Sequence, residues 1–390
     1  MPPLYLLEPE SPGAAWLPFT GVRPICELRA GAWRIRERWE GIFDSETKEI
    51  LGSHVVGFHE LDTPEVRAVG PISGPAFIAR SDFAPSEPPE ELPEGTRRFT
   101  HDGTTVAWIV PAGSTWSGPH DEGTAAEIPG LLLHGAYDLI TALEHLLAAD
   151  VAAVEVEDTA ALPERTIVLG DPSHVVLVST EVEPGVTFDT RNGPIVVEFG
   201  TEIRGGTRIE GPCFIGPGCR IVGGVIRQSV IGPRCVVAGE VSNTVFIGYA
   251  NKAHDGFVGH SVLGHWVNLG AGTTTSNLKN TYGEVRLDLP TGRIETKRQY
   301  LGTLLGDHAK AAIGTMFSTG TVVGAGANVF GSGRPPKWIR PMAWGETGEV
   351  VMTSEGFVAI AERVLPRRKV EVTPKVRAAL AAMWDRVAAG

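Results

Sequence analysis

VEFGTEIRGGTRIEGPCFIGPGCRIVGG, residues 197–224, carries an aliphatic residue at every sixth position: Val197, Ile203, Ile209, Ile215 and Ile221. Six is neither the period of an α-helix nor that of a half-buried strand. The phase returns at Ile231 and Val237, again at Leu263 and Leu269, and a third time at Leu305, Ala311, Phe317, Val323 and Val329, with Ala311 the weakest member. Four places after these anchors the residue is usually small, as at Thr201, Thr207, Cys213, Cys219, Cys235, Thr273, Ala309 and Ala327. Glycine follows many anchors directly, for example Gly216, Gly232, Gly264 and Gly306. The pattern implies a three-sided solenoid in which each six-residue unit supplies one short strand and one corner. The anchor fills the interior, the small residue fits a crowded inward place, and glycine eases the turn. Cysteine suits that inward place as a small hydrophobe, so three of the four cysteines have a packing role that competes with a disulfide or zinc reading.

Around the solenoid the text changes. Residues 1–150 alternate apolar runs such as Val106 to Val110 with helical stretches and end in GAYDLITALEHLLAAD, 135–150, whose leucines share one helical face. This predicts an α/β domain over 1–150, a connecting segment over 151–196, the solenoid over 197–333 and a helical extension over 334–390. The segment 278–304 has no six-residue phase, and EVRLDLPTGRIET within it has the shape of a hairpin. Ser354 and Thr373 are the expected caps of two C-terminal helices.

Bulk composition narrows the function. With 390 residues, a formal charge of −12 and 42% hydrophobic residues, the chain reads as a folded protein of at least two domains without a nucleic-acid partner. No apolar run reaches a membrane span and no leader pattern is visible, so the expected location is the cytoplasm, with no membrane partner.

NKAHDGFVGHSVLGHWVNLGAGTTTSN, residues 251–277, resembles the acetyltransferase domain of the bacterial bifunctional N-acetylglucosamine-1-phosphate uridyltransferase/glucosamine-1-phosphate acetyltransferase family through Lys252, Ala253, His254 and VNLGAGT. Archaeal relatives look closer because they also insert a hairpin. LPFTGVRPICELRAGAWRIRERWE, residues 17–40, resembles a group of sugar nucleotidyltransferase-like proteins fused to such a helix. The resemblance implies a left-handed β-helix, a homotrimer with sites between adjacent solenoids, and acetyl-coenzyme A as cosubstrate. It implies that His254 is the general base, a task that suits an imidazole titrating near neutrality. Ala271 would offer its amide to the oxyanion, with Gly272 and Ile313 also against the acyl-coenzyme A. Asn268 and Asn277 would hold the sugar, a sugar phosphate or sugar nucleotide, with Lys252 or Arg227 toward its phosphate. From the residues alone, Asn268 could equally stack in an asparagine ladder, Asn277 could cap a turn, and Lys252 could be a solvated charge.

Departures from the family's pattern are specific. Phe257 stands where the bacterial enzymes have a tyrosine, and the paired lysines that grip the sugar phosphate are replaced around Asn243 and Thr244. In the N-terminal part Arg23 remains as a nucleotide-binding candidate, but Ile25 takes the place of the expected lysine and the glycine-rich loop is almost gone. Mg2+ enters only if that domain is active, and Asp82 alone stands near the expected acidic pair. Alternatives are an active nucleotidyltransferase, a non-enzymatic scaffold, and a zinc hydratase using the His260 and His265 pair, whose third ligand is missing. No metal site is expected.

Overall fold

The computed structural model describes residues 1–155, 161–345 and 347–388, so residues 156–160 of the connecting segment lie outside it. Among the described residues four α-helices occur: α1 (Ile35–Phe43), α2 (Asp138–Ala152), α3 (Ser354–Val364) and α4 (Pro374–Ala388). The chain forms two compact units, one from residues 1–13, 20–134 and 373–390, the other from 14–19 and 135–372.

The first unit is built on a seven-stranded mixed sheet with Leu4–Leu7 near its centre, parallel to both Thr47–Leu51 and Ala76–Arg80. LYLL is buried at all four positions, which is why it reads as an unbroken apolar run rather than an alternating one. α1 lies on this sheet through Trp39 and Phe43, the latter ring stacked 4.3 Å from Phe77. α4 belongs to the same unit: Arg386 donates to the carbonyls of Gly21 and Val56. The last helix of the chain thus packs against the turns at Gly21 and residues 53–57 of the first unit.

The second unit is the left-handed parallel β-helix. Successive strands fall in turn on three sheets. Face 1 stacks Thr187–Asp189, Arg208–Glu210, Val225–Arg227, Glu240–Ser242 and Phe257–Gly259. Face 2 stacks Ile195–Val197, Cys213–Ile215, Val230–Ile231, Val245–Phe246, Val262–Leu263, Thr303–Leu305 and Thr321–Val323. Face 3 stacks Glu202–Ile203, Arg220–Ile221, Val236–Val237, Asn251–Lys252, Asn268–Leu269, Lys310–Ala311 and Asn328–Val329. The anchors and the three cysteines form one buried interior cluster, and all four cysteines are free. Each fully buried aliphatic anchor contributes about 1.5–3 kcal/mol.

The coils reach further than the six-residue phase indicated. They begin at Ile167–Leu169, well before residue 197, and end at Ala343–Trp344, beyond 333. The early coils use longer turns, which hides the phase without changing the stacking. The hairpin Val285–Leu289 and Gly292–Arg298 leaves from a corner as expected, and Leu304 then pairs directly with Val262 as though nothing intervened.

α2 corrects the domain boundary at 150. It lies with the solenoid, packed across face 2. With the hairpin strand Val285–Leu289 against Thr321–Val323, it accounts for an outward column, Val196, Phe214, Val230, Val245, Val262, Leu304 and Val322, every member of which is buried. α3 is capped by Thr353, whose hydroxyl accepts from Gly356, and not by Ser354; Thr373 caps α4 through Val376 as expected.

Candidate active site

Three corners separate the faces. At the corner between faces 3 and 1, called here the glycine corner, the turns of successive coils lie directly on one another. Gly272 donates to Asp255 at 2.9 Å and Gly314 to Ala271 at 2.8 Å. His254 and Asp255, Ala271 and Gly272, and Ile313 and Gly314 thus occupy three consecutive coils of one corner, about 4.8 Å apart per coil. The His254 side chain is exposed, and Ile313 is 81% exposed despite being isoleucine. The amide N–H of Ala271 makes no hydrogen bond among the described residues, leaving a donor at an exposed corner.

The floor of this corner is Lys252. It is not the solvated charge that its type suggested: it is 2% exposed and stands in the inward column of face 3, between Val237 and Leu269. Its four-carbon stem fills the place of an aliphatic anchor, and its Nζ donates to the carbonyl of His254. Burial pulls its pKa down to about 8, against an opposing effect of Asp255. Two glycines make room. A Cβ on Gly239, at φ +77°, would stand 3.0 Å from that Nζ, and one on Gly256, at φ +126°, would meet the Thr273 carbonyl at 2.2 Å.

Asn268 points outward from face 3 and does form a ladder: Asn251 Nδ2 donates to Asn268 Oδ1 at 3.0 Å. Asn277 is elsewhere. It sits at the corner between faces 1 and 2, where the hairpin departs, and donates from Nδ2 to His260 Nδ1 at 2.9 Å. His260 also stacks on Tyr300, 5.1 Å between centroids, and burial lowers its pKa to about 4, with Arg298 acting in the same direction and Glu144 opposing. Asn277 therefore holds a neutral imidazole in one tautomer, which replaces the simple turn cap. Arg298 of the hairpin in turn donates to Thr141 of α2 at 2.7 Å and pairs with Glu144.

Arg227 is spent on face 1: it bonds Glu240 at 2.9 Å and lies 3.9 Å from Glu210, so the phosphate role is not supported by its surroundings. His260 and His265 stand at opposite ends of Val262–Leu263, on different corners, and His265 is half-buried against Tyr249 rather than exposed. Among the described residues no group of three or more histidine, cysteine, aspartate or glutamate side chains could hold a metal ion.

In the first unit Arg23 is 1% exposed, pairs with Glu60 at 2.8 Å and lies over the Phe58 ring. Beside it Glu8, at the end of the central strand, accepts from the amides of Ile25 and Cys26 at 2.8 and 3.2 Å and meets His54 at 3.1 Å. The amides that follow Pro24 are thus already satisfied by a side chain of the same unit.

Sequence reasoning did not single out Glu8 or Asn251, and saw Arg368 only as one of a basic cluster with Arg363, Arg367 and Lys369; Arg368 donates to Asn251 Oδ1 at 3.3 Å. Asn251 could have been found from its place in the column that leads to Asn268.

Residues 6–158 match the family described as Sugar nucleotidyl transferase. The chain is 32% identical over 146 residues to a bifunctional sugar-1-phosphate nucleotidylyltransferase/acetyltransferase of Sulfurisphaera tokodaii, covering 35% of each chain. It is 31% identical over 86 residues to the bifunctional protein GlmU of Methanocaldococcus jannaschii, covering 22% of this chain and 21% of that one. The matches thus span about a third or less of the length of these relatives. Among the described residues no helix is long and apolar enough to cross a membrane. The chain thus joins a segment that matches this family model to a left-handed β-helix of hexapeptide repeats, and is similar over about a third of its length or less to these two bifunctional proteins.

Proposed function

We propose that the chain is an acyl-coenzyme A-dependent N-acyltransferase, with acetyl-coenzyme A as donor and an amino-sugar phosphate or nucleotide-linked amino sugar as acceptor, working in the cytoplasm. The observation that carries this reading is the alignment of His254, Ala271 and Ile313 on consecutive coils of one exposed corner. As the amine attacks the thioester carbon, His254 takes its proton; the new C–N bond forms while the carbonyl oxygen becomes an oxyanion. The Ala271 amide faces that charge. Collapse breaks the C–S bond, and the proton held by His254 passes to the departing thiolate. Ile313 and Gly272 border the path of the donor.

Asn277 and His254 lie at opposite ends of face 1, so one chain does not unite them. The homotrimer supplies the missing proximity by bringing a neighbour's hairpin corner toward the glycine corner. Sedimentation of the full chain, combined with coenzyme A release from acetyl-coenzyme A over a panel of amino-sugar phosphates, tests the reading. A trimeric protein that releases no coenzyme A with any of them would refute it.

The family match over residues 6–158 favours a second activity, sugar-1-phosphate nucleotidyl transfer. The internal pairing of Arg23 and the occupied amides of Ile25 and Cys26 weigh against nucleotide synthesis at this loop. Pyrophosphate release from nucleoside triphosphates, a sugar 1-phosphate and Mg2+ would reinstate the synthetic role.

A further inference from the structure

The outer column of face 3 changes character along its length. It runs from Glu181 through Glu202 and Arg220, the last two paired at 3.1 Å, and continues as Val236, Asn251, Asn268, Lys310 and Asn328 with no carboxylate. Arg368 enters this stretch from the turn after α3. Its Nη2 donates to Asn251 Oδ1 at 3.3 Å, its Nε donates to the Arg234 carbonyl at 3.0 Å, and Arg234 returns a bond to the Arg368 carbonyl at 2.7 Å.

A guanidinium has donors only. Asn251 must therefore present its oxygen to Arg368, which turns its Nδ2 toward the next coil, and Asn268 must answer with Oδ1. Two amide orientations that the side chains alone leave open are set by one cation. The Nδ2 of Asn268 is left directed away from Asn251, and it makes no hydrogen bond among the described residues. One coil further, Lys310 bonds through Nζ to the His308 carbonyl at 3.0 Å, and that is the one hydrogen bond of this ammonium among the described residues. Burial lowers its pKa to about 8 with no acidic neighbour to offset the effect.

We infer that Arg368 and Asn251 are positioning residues that fix Asn268 as an outward donor, and that Asn268 and Lys310 together form a subsite for the phosphoryl oxygens of the acceptor. The inference rests on the proposed assignment of Asn268 to the substrate and adds both the class of group it meets and the residues that aim it. Had the amide the opposite orientation, its oxygen would repel an anion; the relay removes that state.

The test is equilibrium titration of the full chain with glucosamine 1-phosphate, and with inorganic phosphate as the bare anion, in the absence of acyl donor. Arg368→Met should weaken glucosamine 1-phosphate binding about tenfold or more, the scale of one hydrogen bond to a charged group. Arg368→Lys, also a pure donor, should bind within about threefold of the parent. In an Asn268→Ala background Arg368→Met should cause no further loss, because the two act through one contact. An unchanged Arg368→Met, or an equal loss with and without Asn268, overturns the relay. Where Arg368→Met does not fold, Asn251→Leu severs the relay and leaves the Arg368 to Arg234 bonds in place; unchanged binding there overturns it equally. A parent protein that binds neither probe overturns the subsite. Relay-dependent binding without coenzyme A release would leave the subsite standing and remove the acyltransferase reading, whereas acyl transfer with binding indifferent to Arg368 would do the reverse.

Discussion

The two regions that resemble known enzymes keep their motif residues in opposite conditions. In the first unit Arg23 is buried against Glu60, and the amides of Ile25 and Cys26 are taken by Glu8. At the glycine corner of the solenoid, His254 is exposed and the Ala271 amide is unused. A motif residue can do chemistry only with the bonds it has left over. By that measure the glycine corner keeps polar groups open to a ligand, and the Arg23 region has its own engaged in packing.

The largest effect that would break this contrast is at the corner. His254→Ala should lower acyl transfer by about 10²–10⁴-fold, the usual scale of general-base catalysis, while acetyl-coenzyme A binding by calorimetry is retained. Activity unchanged in that variant would place the chemistry elsewhere. In the first unit, Arg23→Ala should cost about 1.5–3 kcal/mol in denaturant unfolding, since it removes a buried guanidinium that pairs with Glu60 and lies over the Phe58 ring, yet leave nucleotide affinity unaltered. A selective loss of affinity at constant stability would show that the arginine still serves a ligand.

Lys252 lies between these cases, structural in position but next to the base. Its ordinary value of 10.5 falls to about 8 in the fold. Between these pH values the unfolded chain holds more protons than the folded one, so stability rises with pH across that window, by up to about 3 kcal/mol. Lys252→Met, of similar length and uncharged, should reduce the rise to the share of Lys310, whose value is likewise lowered to about 8, as urea unfolding at about pH 7.5 and 10 would show. The smallest expected change is at Arg227→Ala. Its two glutamate partners are solvent-accessible, so stability should shift by no more than about 1 kcal/mol and the acceptor KM not at all.

The six-residue phase made the solenoid legible because every sixth residue faces one crowded interior, and interior volume tolerates little variety. Lys252 shows the limit of that reading. It keeps the phase, six places after Phe246, but its charge disguises an inward position that only the backbone register discloses. α2 was legible as a helix, but not as a cover for face 2, because an apolar stripe does not name what it will meet. At the site, corner residues could be assigned by their neighbours in sequence. The link from Arg368 to Asn251 spans 117 positions and depends on where α3 comes to rest, which no local pattern records.

α2 sheathes one side of a three-sided prism, and this constrains assembly by symmetry. A second copy cannot lie directly on the strands beneath α2 without displacing the helix, which leaves it the helix itself or the two other sides. Those two sides share a single edge, and it is the one along which the imidazole, the unused amide and the exposed isoleucine are strung.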